Sequence, residues 1–329
     1  MKTKIAALAV ILLISMILAI GLGPVAVPPG DVVRALYVGH GSPGQFDFIV
    51  TQLRAPRVLE GAFVGAGLAV AGLLTQAVTR NPLGEPYVLG LSSGAAVGAV
   101  LVLTTVGPIV AGLPLAAFAG ALVTAVAVML LSRNRSPGRM VMTGVAVGQL
   151  LSGVVSFLLL RTDDPQAQHQ VLFWLLGSLA GAQWQLAWVT CAVVTVLVAA
   201  SLMMAGRINL LVLGDDGAAA LGLHAGRARA VLLVVVTLLT GTVVAVSGSI
   251  GFVGLVVPNL ARLLAGADHR RSLPVTALLG ALLVVWADTA ARLVLAPAEL
   301  PIGILTAAIG VPAFLLVLRR SPAGAVGLA

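Results

Sequence analysis

A chain of 329 residues that is 60% hydrophobic and only 9% charged, with mean hydropathy +1.11, is excluded from the ordinary soluble class, where about a quarter of residues are charged. The net charge of +8 is scattered over predicted helix ends and not gathered on one face, which excludes a nucleic-acid-binding patch. Apolar runs approach the roughly 20 residues of a spanning helix and lack the short alternation of a membrane barrel, so the expected fold is all-α and polytopic, one transmembrane domain over 1–329.

In chain order, Lys2 and Lys4 precede an apolar run from Ile5 to about Val27, longer than the roughly 7–15 apolar residues of a cleavable signal peptide, so it is expected as the first span. Pro28 to Gln52 is polar and expected outside, with Asp31 placed to cap a short surface helix. The second to fifth spans are expected at Ala55–Val78, Val88–Thr105, Leu115–Leu131 and Met140–Leu160, divided by TRNPLGEP, GPIVAGLP and SRNRSPGR. After RTDDP, Val171, Leu172, Leu175, Leu176 and Leu179 recur at helical spacing, which predicts an amphipathic helix over Gln166–Ala180 lying at the membrane interface. Trp184–Ala205 is the sixth span. Ala230–Val246, Phe252–Ala265, Val275–Leu295 and Ile302–Leu318 complete ten. Cys191, the one cysteine, lies inside an apolar run and reads as packing.

With the N-terminus inside, fourteen lysines and arginines fall on the internal side and five on the external side. That asymmetry obeys the positive-inside rule and places both termini in the cytoplasm. A shift of 176 residues aligns Gly65 with Gly241, Ala69 with Ala245, Val70 with Val246, Gly72 with Gly248 and Pro82 with Pro258. Spans 2–5 and 7–10 thus suggest a repeat, inverted because spans two and seven run in opposite directions.

Residues 207–229 interrupt this apolar pattern with Asp215, Asp216, His224 and three arginines set among leucines. The stretch is too charged for lipid and too apolar for a slack linker, and it falls on the cytoplasmic side. Elsewhere the chemistry is sparse. The only lysines are Lys2 and Lys4, so no phosphate-binding G-x-x-x-x-G-K-[ST] loop exists. His40, His169, His224 and His269 are far apart, no metal-ligand spacing is present, and no histidine-paired nucleophile is visible. Within the spans the serious carboxylates are Glu60, expected near the wetted headgroup layer, and Asp288, expected to pair with Arg292 four residues on. A proton-coupled carrier normally carries more, so the energy is expected to come from another chain.

RAPRVLEGAFVGAGLAVAGLLTQAVTRNPLGEPYVLGLSSGAAVGA (54–99), LGDDGAAALGL (213–223), VSGSIGFVGLVVPNLARLLAGADHR (246–270) and ADTAARLVLAPAELPIGILTAAIGVPAFLLVLRR (287–320) together resemble the iron-siderophore, haem and vitamin B12 permease family of ABC importers. The resemblance implies a ten-helix permease of the cytoplasmic (inner) membrane working as a dimer with a second copy or a related chain. Two cytoplasmic ATP-binding subunits would bind ATP and magnesium, with no cofactor in this chain, and a periplasmic or lipid-anchored substrate-binding protein would dock outside. The cargo implied is an iron chelate, a ferric siderophore first and haem next. Cobalamin, or a proton-coupled secondary transporter, is the alternative.

The resemblance also implies three sites. Leu211, Leu213, Gly214, Asp215, Asp216, Gly217, Ala218, Leu221 and Gly222 match the short coupling helices that meet the ATPase, with Asp215 or Asp216 as the cap of Ala218–Leu221. Arg54, Arg57 and Arg292 match external arginines presented to glutamates of the binding protein, a task that suits the planar guanidinium fork. Ser136, Pro137 and Gly138 match a cytoplasmic gate that keeps only part of the family's hydroxyl character there.

Overall fold

The computed structural model describes residues 1–38, 46–105, 112–132 and 137–320, and among these every regular element is helical. Seven helical stretches are long and apolar enough to cross a membrane: α1 (Lys2–Gly21), the continuous stretch Ile49–Thr79, α5 (Gly112–Leu131), α6 (Pro137–Leu160), α8 (Trp184–Met203), α11 (Ala225–Ser247) and α13 (His269–Val294). Ile49–Thr79 is a π-helical turn, Ile49–Arg54, running into α3 (Ala55–Thr79). Three shorter apolar helices, α4 (Leu91–Thr105), α12 (Val253–Ala265) and α14 (Ile302–Arg320), stand where the third, eighth and tenth spans are expected. The short helix expected after the first span is α2 (Pro29–Val38). Its first turn contains Asp31, which is three positions too deep to cap it because Pro28 supplies the first carbonyl, to Asp31 and Val32.

At the centre stands α3, the most enclosed of the spans. Lipid tails are as apolar as leucine, so helices in a bilayer associate through close packing and not through burial from water. Glycines make that contact here. A Cβ at Gly65 would strike the Gly280 carbonyl and one at Gly280 the Gly65 carbonyl, so α3 and α13 touch backbone to backbone. Gly72 meets Gly254 of α12 in the same way, and Gly94 meets Gly120 where α4 crosses α5. Around these crossings lie the buried Leu68, Leu73, Leu74, Leu232, Leu239 and Leu273.

The same order of elements occurs twice. After α3 the chain breaks, makes a 3₁₀ turn (Pro86–Leu89) and continues through α4, α5 and α6; after α11 it breaks at Gly248 and continues through α12, α13 and α14. The two breaks hold each other. The Tyr87 hydroxyl donates to the Ile250 carbonyl and accepts from the Ile250 N–H, both at 3.1 Å, and Glu85 Oε1 accepts from the Phe252 N–H at 2.9 Å. Burial raises the Glu85 carboxyl above its usual range, with the Phe252 N–H opposing that shift.

The amphipathic stretch forms α7 (Pro165–Leu176), capped by Asp164, which accepts from Gln166 N at 2.9 Å. Part of its apolar side packs against another helix. Val171, Trp174 and Leu175 pack on Ala96, Val100 and Leu103 of α4, while Leu172 and Leu176 stay exposed. The helix stops at Gly177, in a left-handed conformation (φ 79°), and Leu179 beyond it is fully buried in the core.

Replacing Gly65 by Val is expected to destabilise the fold by at least the roughly 1–3 kcal/mol of an overpacked core, because backbone and not a movable side chain is in the way. Gly30→Ala, where an added Cβ meets nothing within 4 Å, should leave stability unchanged. Thermal melting of the detergent-solubilised chain checks both.

Candidate functional site

Two polar constellations stand at opposite ends of the bundle. The arginine-rich one is built on the start of α3, the end of α13 and the link between α13 and α14. Arg54, last residue of the π turn, donates through Nη1 to the carbonyls of Ile20 (3.0 Å) and Gly21 (3.1 Å) and through Nη2 to that of Val25 (2.6 Å). It thereby satisfies carbonyls left open where α1 ends. Arg57 presents Nε and Nη2 to Asp288 (2.8–3.1 Å) and Nη1 to both oxygens of Glu299 (3.0 Å each). Arg292 pairs with Asp288 at 3.1 Å, as its four-residue spacing predicts, and also donates to the carbonyls of Ala19 and Leu22 and to the Thr289 hydroxyl.

These arginines are not the projecting surface side chains their external positions suggest. Arg54 is 7%, Arg57 8% and Arg292 3% exposed, and all three line a cavity of about 360 Å³ shared with Pro24, Leu53 and Glu299. The reason is tertiary: the α3–α13 contact draws Arg57 onto Asp288, and α1 folds its last carbonyls over Arg54 and Arg292. Glu60 also departs from expectation. It is 1% exposed and its Oε2 has no partner, so the headgroup layer does not wet it.

At the other end of the bundle the polar interruption folds into α9 (Ala205–Val212) and α10 (Asp215–Ala220), with Gly214 (φ 95°) and Gly222 (φ 79°) making the bends. Ile208, Leu211 and Ala218 are buried and anchor the pair, whereas Leu213 and Leu221 are about 60% exposed. The aspartates are not caps. Gly214 holds the cap position of α10 without a side-chain hydrogen bond, Asp215 and Asp216 lie in its first turn, and Gly217 follows inside it. Asp215 instead pairs with Arg229 of α11 at 2.7 Å and lies 3.9 Å from Arg80 at the end of α3.

Sequence reasoning missed the joint between this knob and α13. Asn209 of α9 donates from Nδ2 to Asp268 Oδ1 at 2.8 Å, and its Oδ1 accepts from His269 N at 3.0 Å and lies 2.7 Å from His269 Nδ1. Asp268 in turn caps α13 by accepting from Arg270 N at 3.0 Å. The Asn209 amide, and then the Arg270 N–H, hold the Asp268 carboxyl below its usual range. No local spacing announces this joint, because its partners are about 60 residues apart. Of the gate residues, Ser136 lies outside the described residues, Pro137 opens α6, and Gly138 is exposed with open space around it. Among the described residues no group of three His, Cys, Asp or Glu side chains is placed to hold a metal ion.

A two-helix knob at one end of the bundle and an arginine cavity at the other are joined by long apolar helices, and the same chain matches known proteins over most of its length. The FecCD transport family model matches residues 11–320. The chain belongs to the FecCD transport family. It is 38% identical over 95% of its length, and 93% of the relative's, to the Fe(3+)-citrate import system permease YfmE of Bacillus subtilis. It is 42% identical to the hemin transport system permease HmuU of Yersinia pestis over 82% of each chain. The cobalamin import system permease BtuC of Halobacterium salinarum is 40% identical over 87% of this chain and 79% of its own. A solved structure described as an inward-facing conformation of a metal-chelate type ABC transporter superposes with a TM-score of 0.87 at 33% identity, covering 98% of this chain and 100% of the other. This FecCD chain is therefore a multi-pass membrane permease.

Asp288→Asn would leave Arg57 and Arg292 buried against a neutral amide. It is expected to cost about 3 kcal/mol or more, as loss of one member of a buried ionic pair does, with a correspondingly lower melting temperature in detergent.

Proposed function

We propose that this chain is the membrane permease subunit of an ABC importer that carries an iron chelate inward, a ferric siderophore first and haem next, using ATP hydrolysed by two partner subunits. Membership of the FecCD family, with ferric citrate and hemin permeases among the relatives, supports the chelate class. The cobalamin permease of Halobacterium salinarum keeps a corrinoid cargo as a second reading. Nucleotide and magnesium belong to the partners, because the chain has no phosphate-binding loop of its own.

One observation carries the mechanism. Leu213 and Leu221 stand exposed on a knob anchored by the fully buried Ile208 and Leu211, so two leucine side chains are presented to water on a packed base. Such a knob suits the surface of an ATPase subunit, with both chain termini on the same cytoplasmic side. Force on α9 and α10 reaches α11 through Asp215–Arg229 and α13 through Asn209–Asp268. Both of those helices pack on α3.

Outside, the arginine cavity offers a substrate-binding protein a site for its carboxylates, with geometry suited to a guanidinium fork. The path runs between two permease chains, along α6, α7 and α14. The outward sides of α6 (Leu150, Val154, Phe157) and α14 (Ile304, Ile309) are apolar and exposed in the single chain. A wall that makes few strong contacts holds no deep well, so a bulky cargo can leave it. Ser136, Pro137 and Gly138 would narrow its cytoplasmic end.

Leu221→Asp is expected to abolish chelate uptake and substrate-stimulated ATP hydrolysis while membrane insertion and melting temperature stay close to the parent, since the residue is mostly exposed. Uptake of labelled ferric siderophore, haem and cobalamin by cells expressing the complete importer checks this and ranks the cargoes. Normal uptake by the variant would overturn the coupling role.

A further inference from the structure

The arginine cavity already holds a carboxylate that does not belong to its rigid wall. Arg54 spends its guanidinium on three carbonyls, and Arg292 spends its own on Asp288, Thr289 and two carbonyls. Arg57 gives one edge to Asp288, whose side chain is 3% exposed and fixed on α13. Only its Nη1 faces a group that is free to leave. That group is Glu299, whose side chain is 37% exposed. Glu299 stands on the short non-helical link between α13 and α14. Backbone bonds secure the link on both sides of it, from Ala298 N to Leu295 O (2.9 Å) before it and from Leu300 N to Ala291 O (3.1 Å) after it. The side chain can therefore swing outward while the link and both helices stay in place.

We infer that Glu299 is an intramolecular competitor for the binding protein, occupying at Arg57 Nη1 the place that a carboxylate of that partner takes on docking. This rests on the reading that the arginine cavity is the docking site. Docking becomes an exchange of one carboxylate for another. Arg57 keeps two anionic neighbours throughout, which avoids leaving a buried guanidinium short of a partner. The apparent affinity is reduced by the fraction of time Glu299 spends in place, as for any site whose competent state is only partly populated. A partner that must dock and leave in every cycle needs such weakening. Glu299 also offsets one of the three positive charges that would attract an acidic partner.

The test uses the full permease with its ATPase subunits in lipid nanodiscs. The probe is the importer's cognate solute-binding protein, with association and dissociation rates followed at low and high ionic strength. Glu299→Gln and Glu299→Ala are expected to tighten docking by about two- to fivefold at low ionic strength, the range of a half-exposed ion pair, and to steepen its salt dependence. Glu299→Asp keeps the charge on a shorter arm and should fall between them and the parent; it carries the test alone if the neutral variants are not recovered from the membrane. Salt-sensitive docking by the parent that is unchanged or weakened in these variants would overturn the competitor role while leaving the docking site standing. Docking by the parent that is indifferent to salt would instead remove the docking site, and the competitor with it.

Discussion

The contact on which the rest of the molecule depends is the backbone-to-backbone approach of α3 and α13 at Gly65 and Gly280. In a bilayer no water is released when two apolar helices meet, so affinity between them comes from how closely they can approach. With no Cβ on either side at the crossing, the two longest helices of the core share one surface, and everything polar is placed by where they end. Arg57 meets Asp288 at one end because α3 and α13 have nowhere else to lie. At the other end the α13 N-terminus arrives at α9, where Asn209 closes the joint with Asp268 and His269.

That arrangement gives the FecCD chain its economy of charge. The apolar middle of the bundle holds few ionisable groups, and Arg57, Asp288, Arg292 and Glu299 gather around the arginine cavity, where both carboxylates are matched by an arginine. Taking charge out of water is costly, and the cluster tolerates it because guanidinium forks and helix-end carbonyls satisfy one another. A site built this way is stiff on its α13 side and yielding on its link side, a difference that follows from Asp288 standing on a helix and Glu299 on a loop. The cytoplasmic knob shows the same division between anchored Leu211 and presented Leu213 and Leu221.

The ionic hubs also bear on how movement is shared. Asp215 touches Arg229 and approaches Arg80, so α10 is tied to α11 and to the end of α3 at once. Asn209 ties α9 to α13. A displacement of the knob thus meets α3 and the two helices, α11 and α13, that pack on it. At the centre the breaks in the two halves are locked through Tyr87 and Glu85, so the halves share one seam.

The sequence by itself determined the class, the ten apolar elements and the place of the polar knob between them. These are set by local chemistry: hydropathy over about 20 residues, glycine and proline at the breaks, and charge that cannot enter lipid. The Asp288–Arg292 pair was legible for the same reason, being one helical turn apart. Only the tertiary structure decided that Arg54, Arg57 and Arg292 are buried, that Glu60 is sealed from the headgroups, that Asp215 bridges helices where a cap was expected, and that Glu299 reaches Arg57 across 242 residues. Each of these depends on which helices cross and at what depth. That is governed by small contacts such as Gly65 on Gly280, which leave no periodic trace in the chain.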